Sequence, residues 1–192
     1  MIAAGTEGAF HMRLRPRFLR PLRVARLVWM ARVLIVGCGC RGRALSAALV
    51  AQGHAVRGTT RGPASLAAIV ASGAEGVVAD PNRLATLTPH LEQVSVLCWL
   101  LGSAFAEPDQ LAALHGPRLR SLLEALVDTH VRGLVYEAGG SVGSALFEEG
   151  ARVVERLGAT YHMPVAVVHE DPTGVERWRA AMSAAVDGVL GS

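Results

Sequence analysis

A glycine-spaced turn, Gly37-Cys38-Gly39-Cys40-Arg41-Gly42, stands directly behind the apolar run Val33-Leu34-Ile35-Val36 and ahead of an amphipathic stretch. The G-x-G-x-x-G spacing is common by itself. Between a strand and a helix it has a mechanism: Gly37 permits a tight turn, Gly39 lets backbone approach a diphosphate, and Gly42 lets helix and strand pack closely. An anion placed there meets unpaired N–H groups and the positive end of the helix dipole. The expected ligand is therefore a dinucleotide, held by Gly37, Cys38, Gly39, Cys40, Arg41 and Gly42.

From Arg32 onward, short apolar runs alternate with helical patterns, as in a parallel sheet covered on both faces. Strands are expected at 33–36, 55–59, 76–79, 94–99, 133–136 and 165–168. Between them the punctuation is helical. Gly53 can close a first helix, Pro63 opens a second that Gly73 ends, and a leucine stripe marks 117–129 as core or dimer surface. A further helix runs over 144–157, stopped by Gly158. Thr173 and Glu176 form a capping box for a last one, with Val175, Trp178, Met182 and Val186 on its apolar face. The stretch 102–116 reads as the longest loop, at the carboxyl edge where open α/β sheets hold ligands. The fold class is α/β: a Rossmann-type doubly wound parallel sheet of about six strands in three layers, α/β/α. A chain of 192 residues, 51% hydrophobic, buries one substantial core, so 30–192 is expected to be a single nucleotide-binding domain.

The end of the second strand discriminates between cofactors. An NAD site places Asp or Glu about 20 residues beyond the glycines to take the ribose hydroxyls. Here the chain reads Arg57-Gly58-Thr59-Thr60-Arg61, with no acid. Arg61 can pair with a 2′-phosphate, and Thr59 or Thr60 can add a hydroxyl, so NADP(H) is favoured over NAD(H). Asp80 either contacts the adenine or caps the turn before Pro81. Trp99 and Leu100, closing the fourth strand, are placed against the cofactor, with packing at the strand end as the alternative for Trp99.

Composition narrows the chemistry. All 19 basic residues are arginine, which excludes every mechanism that needs a lysine. Six of them, Arg13 to Arg26, lie in the first thirty residues and outweigh the formal net charge of +3, so the remainder has no basic excess and no nucleic-acid partner is expected. Residues 1–29 read as a disordered arm, or as a stretch ahead of a true start at Met30. No stretch approaches the roughly 18 to 20 apolar residues of a membrane span, so no membrane partner is expected. Cys38, Cys40 and Cys98 show neither disulfide nor zinc spacing. A cytoplasmic location without a metal is the expectation. Cys38 and Cys40 could have thiol pKa values lowered by the helix N-terminus, or simply be small residues in a crowded turn.

The runs Arg32-Val33-Leu34-Ile35-Val36-Gly37-Cys38-Gly39 and Gly53-His54-Ala55-Val56-Arg57-Gly58-Thr59-Thr60-Arg61 resemble the atypical, epimerase-like branch of the short-chain dehydrogenase/reductase superfamily. The likeness extends through residues 118–136 and covers about 31–168. It implies an NAD(P)-binding fold, a catalytic serine after the fifth strand, and a tyrosine and lysine four residues apart on the next helix. Here Ala138 and Gly139 occupy the serine positions, Phe147 the tyrosine's and Ala151 the lysine's, while Glu155 matches a glutamate four further on. The family's substrate lobe is expected to be missing from the 22 residues of 171–192. What remains for chemistry is Glu137, Ser141 and His169, with Glu170 and Asp171 beside them; His169 has the most suitable ordinary pKa. The favoured reading is an NADP(H)-binding protein without the standard proton relay, a nucleotide sensor or binding module with a small molecule or protein as partner. The alternatives are an active NAD(P)-dependent oxidoreductase or epimerase, on a small carbonyl or sugar-nucleotide substrate, using those groups, and a scaffold subunit. The resemblance also implies a homodimer formed by the helices at Pro117 and Ser144.

Overall fold

The computed structural model describes residues 30–192; the reading of 1–29 lies outside them. Six parallel strands form one sheet: β1 (Arg32–Val36), β2 (Ala55–Thr60), β3 (Glu75–Val78), β4 (Val96–Trp99), β5 (Gly133–Glu137) and β6 (Val165–Val168). Their order across the sheet is β3-β2-β1-β4-β5-β6. The chain thus winds outward from β1, returns to pair β4 with β1, and winds outward again, the doubly wound arrangement expected. The reversal leaves a crevice at the carboxyl ends of β1 and β4.

The central strands are apolar throughout because both faces are covered. Leu34, Val36, Leu97, Trp99, Leu134 and Tyr136 join one core, and Val33, Ile35, Val96, Cys98 and Val135 join the other. Helices α4 (Pro117–Leu126) and α5 (Ser144–Tyr161) cover the first face; α1 (Cys40–Ala51), α2 (Leu66–Val70) and α6 (Val175–Leu190) cover the second. Leu119, Leu122, Leu123 and Leu126 are buried by the chain's own core. The leucine stripe is therefore core, not a face left for a second copy.

Three local expectations are corrected. The supposed loop 102–116 contains a helix, α3 (Pro108–His115), started by its proline. The second helix does open at Pro63, with a 3-10 turn, Pro63–Ser65, that runs directly into α2, and Gly73 follows its end at φ +85. Gly158 does not stop α5, which continues to Tyr161 and ends on His162 in the left-handed region. Gly158 instead accommodates β6, since a Cβ there would meet Val165 Cγ2 at 2.7 Å. The capping box at Thr173 does not form: Gly174 is the N-cap, the Thr173 N–H donates to Asp171, and Glu176 turns to Arg179. Trp178, Met182 and Val186 are buried as expected, whereas Val175 is largely exposed.

Gly133 opens β5 with its Cα against the neighbouring connection, where a Cβ would lie 2.4 Å from both the Pro164 carbonyl oxygen and Val189 Cγ1. Backbone cannot yield as a flexible side chain does. Gly133→Ala is expected to lower unfolding free energy by about 1–3 kcal/mol, the usual cost of overpacking, read as a shift in urea midpoint at unchanged slope. An unchanged midpoint would contradict this packing.

Candidate functional site

The turn after β1 is built by close approach. Gly37 has φ +84, and a Cβ on it would stand 2.3 Å from the Leu100 carbonyl oxygen. Thr59, at the end of β2, fastens the turn from the other side. Its hydroxyl accepts the Gly37 N–H at 3.2 Å and its carbonyl accepts the Cys38 N–H at 3.0 Å. The Gly39 N–H donates to the Gly37 carbonyl, and the Gly39 carbonyl receives the first helical bond, from Arg43. That leaves the N–H groups of Cys40, Arg41 and Gly42 at the start of α1, where no intrahelical acceptor exists. The helix has neither a side-chain cap nor an acidic residue in its first turn. A Cβ on Gly39 would touch nothing within 4 Å, so backbone itself faces open space.

A cleft of about 290 Å³ opens there. Its walls run from Gly37, Cys38 and Gly39 past Thr59 to Thr60 and Arg61 on one side, and along Leu100 and Leu101 to Ser103 and Phe105 on the other. Arg61 is exposed, and it enters no ion pair among the described residues. The Thr60 hydroxyl donates to the Gly62 carbonyl at 3.2 Å, and Thr60 lines the cleft. Thr59 is buried and committed to the turn, so it shapes the loop more than it presents a hydroxyl.

Other expected site residues lie elsewhere. The Asp80 carboxylate accepts the Asn82 N–H at 3.0 Å, the turn-capping alternative, while its neighbours Ala79, Pro81 and Asn82 line the cleft. Trp99 is wholly buried and its indole donates to the Leu114 carbonyl at 3.2 Å, so it packs in the core and not on the cleft wall. Cys38 sits in the core with its Sγ 3.6 Å from the Ser46 hydroxyl, and burial pushes its pKa up, the opposite of activation. Cys40 is exposed and receives an Arg43 guanidinium contact at 3.3 Å. Cys98 is inert, its thiol pushed up to about 12 by burial.

The ends of β5 and β6 hold a different arrangement. Glu137 is buried, with its Oε1 at 3.1 Å from Arg41 Nη2 and its Oε2 accepting the Gly102 N–H at 3.0 Å. The Trp178 indole N–H lies beside this carboxylate, and the Arg41 guanidinium is stacked 5.8 Å from the Trp178 ring centroid. Burial raises the Glu137 pKa, while Arg41, Gly102 and Trp178 draw it back down. The ion pair is not aligned as a hydrogen bond, and Trp178 Nε1 makes none. Ser141 and His169 are exposed. The Ser141 N–H donates to the Gly102 carbonyl. The three candidates for residual chemistry therefore differ in kind: one buried carboxylate paired with a half-buried arginine, and two surface residues.

At the position where the resemblance expects a catalytic tyrosine, Phe147 is buried edge-on to His115. His115 Nδ1 is 2.7 Å from the Tyr136 hydroxyl, and both residues are fully buried. Gly150 makes room for that hydroxyl, because a Cβ would lie 2.0 Å from it. Burial raises the Tyr136 pKa and drops that of His115 to about 4. Sequence spacing gave no signal for this pair, nor for Arg41 with Glu137, because both join residues distant along the chain. Among the described residues no group of three or more His, Cys, Asp or Glu is arranged to hold a metal, and no helix is long and apolar enough to cross a membrane.

The fold matches that of solved epimerase- and reductase-type enzymes. A UDP-glucose 4-epimerase from Thermotoga maritima matches with a TM-score of 0.62 and 14% identity over 72% of this chain and 54% of its own. The UDP-glucuronic acid 4-epimerase from Bacillus cereus, solved with NAD, gives 0.59 and 16% over 73% and 56%. Vestitone reductase from alfalfa gives 0.57 and 14% over 72% and 56%. The chain thus spans about half the length of these proteins. No protein-family model and no curated protein sequence matches it.

His115 supplies a pH test of the buried cluster. The unfolded chain takes up a proton near the ordinary value of about 6.5, while the folded chain resists until about 4. Across that window the unfolded state binds more protons, so His115 makes stability fall as pH drops. His115→Gln is expected to flatten the dependence of unfolding free energy between those values. A variant with the same slope as the parent protein would contradict a buried, neutral His115.

Proposed function

We propose that the chain binds NADP(H) at the turn between β1 and α1 and acts as a nucleotide sensor or binding module, without the proton relay of the enzymes whose fold it shares. The observation that carries this is the joining of two anion sites along one cleft. The first turn of α1 offers uncapped N–H groups directly behind Gly37, Cys38 and Gly39, which line the cleft, and Arg61, unpaired among the described residues, lines the same cleft at the end of β2. In this reading a diphosphate and a ribose 2′-phosphate are held by backbone and by a bidentate guanidinium respectively. Cys40, Arg41 and Gly42 hold the diphosphate through their N–H groups, and Gly37 and Gly39 give it room to approach. Arg61 and Thr60 take the 2′-phosphate, and Leu100 packs against the adenosine.

The reading without a relay rests on residue types. Phe147 has no proton to give, and the chain contains no lysine. An oxidoreductase or epimerase using Glu137 is the second reading, favoured by the raised pKa of that carboxyl group, as expected of a general acid. Its weakness is access, for Glu137 is 1% exposed and already engaged by Arg41.

Arg61→Ala is expected to weaken NADPH binding by about 1.5–3 kcal/mol, the range for a hydrogen bond to a charged group, and to leave NADH nearly unchanged. Calorimetric titration of both cofactors checks it. Equal losses for the two would remove Arg61 from the phosphate site.

A further inference from the structure

The cleft stops short of the second half of a dinucleotide. In a doubly wound fold the ligand crosses the switch point, with one mononucleotide over the ends of β1 to β3 and the other over β4 to β6. Here, among the described residues, the cleft is lined from β1, β2, the stretch after β3 and the connection after β4, and by no residue of β5, β6 or the connections that follow them. Its volume of about 290 Å³ lies just below the roughly 300–1,000 Å³ found for small-molecule sites.

What occupies the other half is specific. Arg41, in the first turn of α1, reaches across the switch point to Glu137 at the end of β5 and stacks on Trp178 of α6. Glu137 in turn takes the Gly102 N–H, tying the connection after β4 to the end of β5. The Gly102 carbonyl then accepts the N–H groups of Ser141 at 2.8 Å and Val142 at 3.2 Å. The backbones meet so tightly that a Cβ on Gly102 would lie 2.0 Å from the Gly139 carbonyl oxygen, and one on Gly140 would lie 2.1 Å from that of Gly102. On the far side, a Cβ on Gly139 would stand 2.9 Å from the Glu170 carbonyl oxygen. The carboxyl edges of β4, β5 and β6 are sewn together by glycine contacts and closed by an ion pair between half-buried Arg41 and buried Glu137. Opening them would leave the buried Glu137 carboxylate without its partner, which is strongly unfavourable.

We propose that the protein recognises only the adenosine half of its ligand, and that its ligand class is the 2′-phosphorylated adenosine diphosphate group, whatever is attached beyond the second phosphate. This rests on the reading of the cleft as a nucleotide site and deepens it: the nicotinamide of a bound NADP(H) projects into solvent, so the protein responds to the nucleotide and is blind to its oxidation state.

Calorimetry of the full chain with NADPH, NADP+ and 2′-phospho-ADP-ribose tests this. The three dissociation constants are expected to agree within about threefold, and the emission of reduced nicotinamide to stay that of the free compound at saturation. Either nicotinamide-bearing ligand binding about tenfold more tightly than 2′-phospho-ADP-ribose, or an enhanced and blue-shifted emission on binding, overturns the proposal and leaves the nucleotide site standing. Failure of all three to bind overturns both. Because the comparison is among ligands of the unaltered protein, no variant has to fold.

Discussion

Two backbones touch where β1 turns into α1, and the geometry of the candidate site follows from that contact. Gly37 lies so near the Leu100 carbonyl that a methyl group would stand 2.3 Å from it. Only glycine takes its φ of +84 there without strain. The approach allows Thr59 to consume the N–H groups of Gly37 and Cys38 from the β2 side. What the turn leaves for a ligand is then set: the first N–H groups of α1, uncapped and directly behind the glycine turn that lines the cleft. A residue with a side chain at Gly37 would push β4's end away and dissolve the crevice, whatever else the fold retained.

Much of this was legible in the sequence because it is local. The glycine spacing, the apolar runs and the missing acid after β2 all sit within a few residues of the structure they specify, and the sheet order follows from strands alternating with helices. Less local features were not. The helix inside 102–116 is only eight residues long and is held by packing of Leu114 and His115. Thr173 satisfied the letter of a capping box, yet the Asp171 side chain captured its N–H and moved the start of α6 to Gly174. Trp99, by its place at a strand end, looked like a cofactor contact. Strand pairing with Tyr136 and Val36 buried it instead.

The same distinction explains the site's far half. The resemblance expects a tyrosine at Phe147 and a lysine at Ala151, and nothing in the local sequence pattern announces what surrounds those positions. The residues of that half come from separate stretches: Arg41 from α1, Glu137 from β5, Trp178 from α6 and His115 from α3. An aromatic and aliphatic interior surrounds Phe147, and an ion pair ties Arg41 to the end of β5. Both are consistent with a carboxyl edge used for holding elements together.

The account turns on whether the first turn of α1 holds a diphosphate, and amide resonances read that directly. Titrating isotopically labelled protein with ADP is expected to shift the N–H signals of Cys40, Arg41 and Gly42 most strongly and saturably, with those of β6 and α6 unmoved. Saturable shifts elsewhere with these three unchanged, or no saturable shift at all, would contradict it.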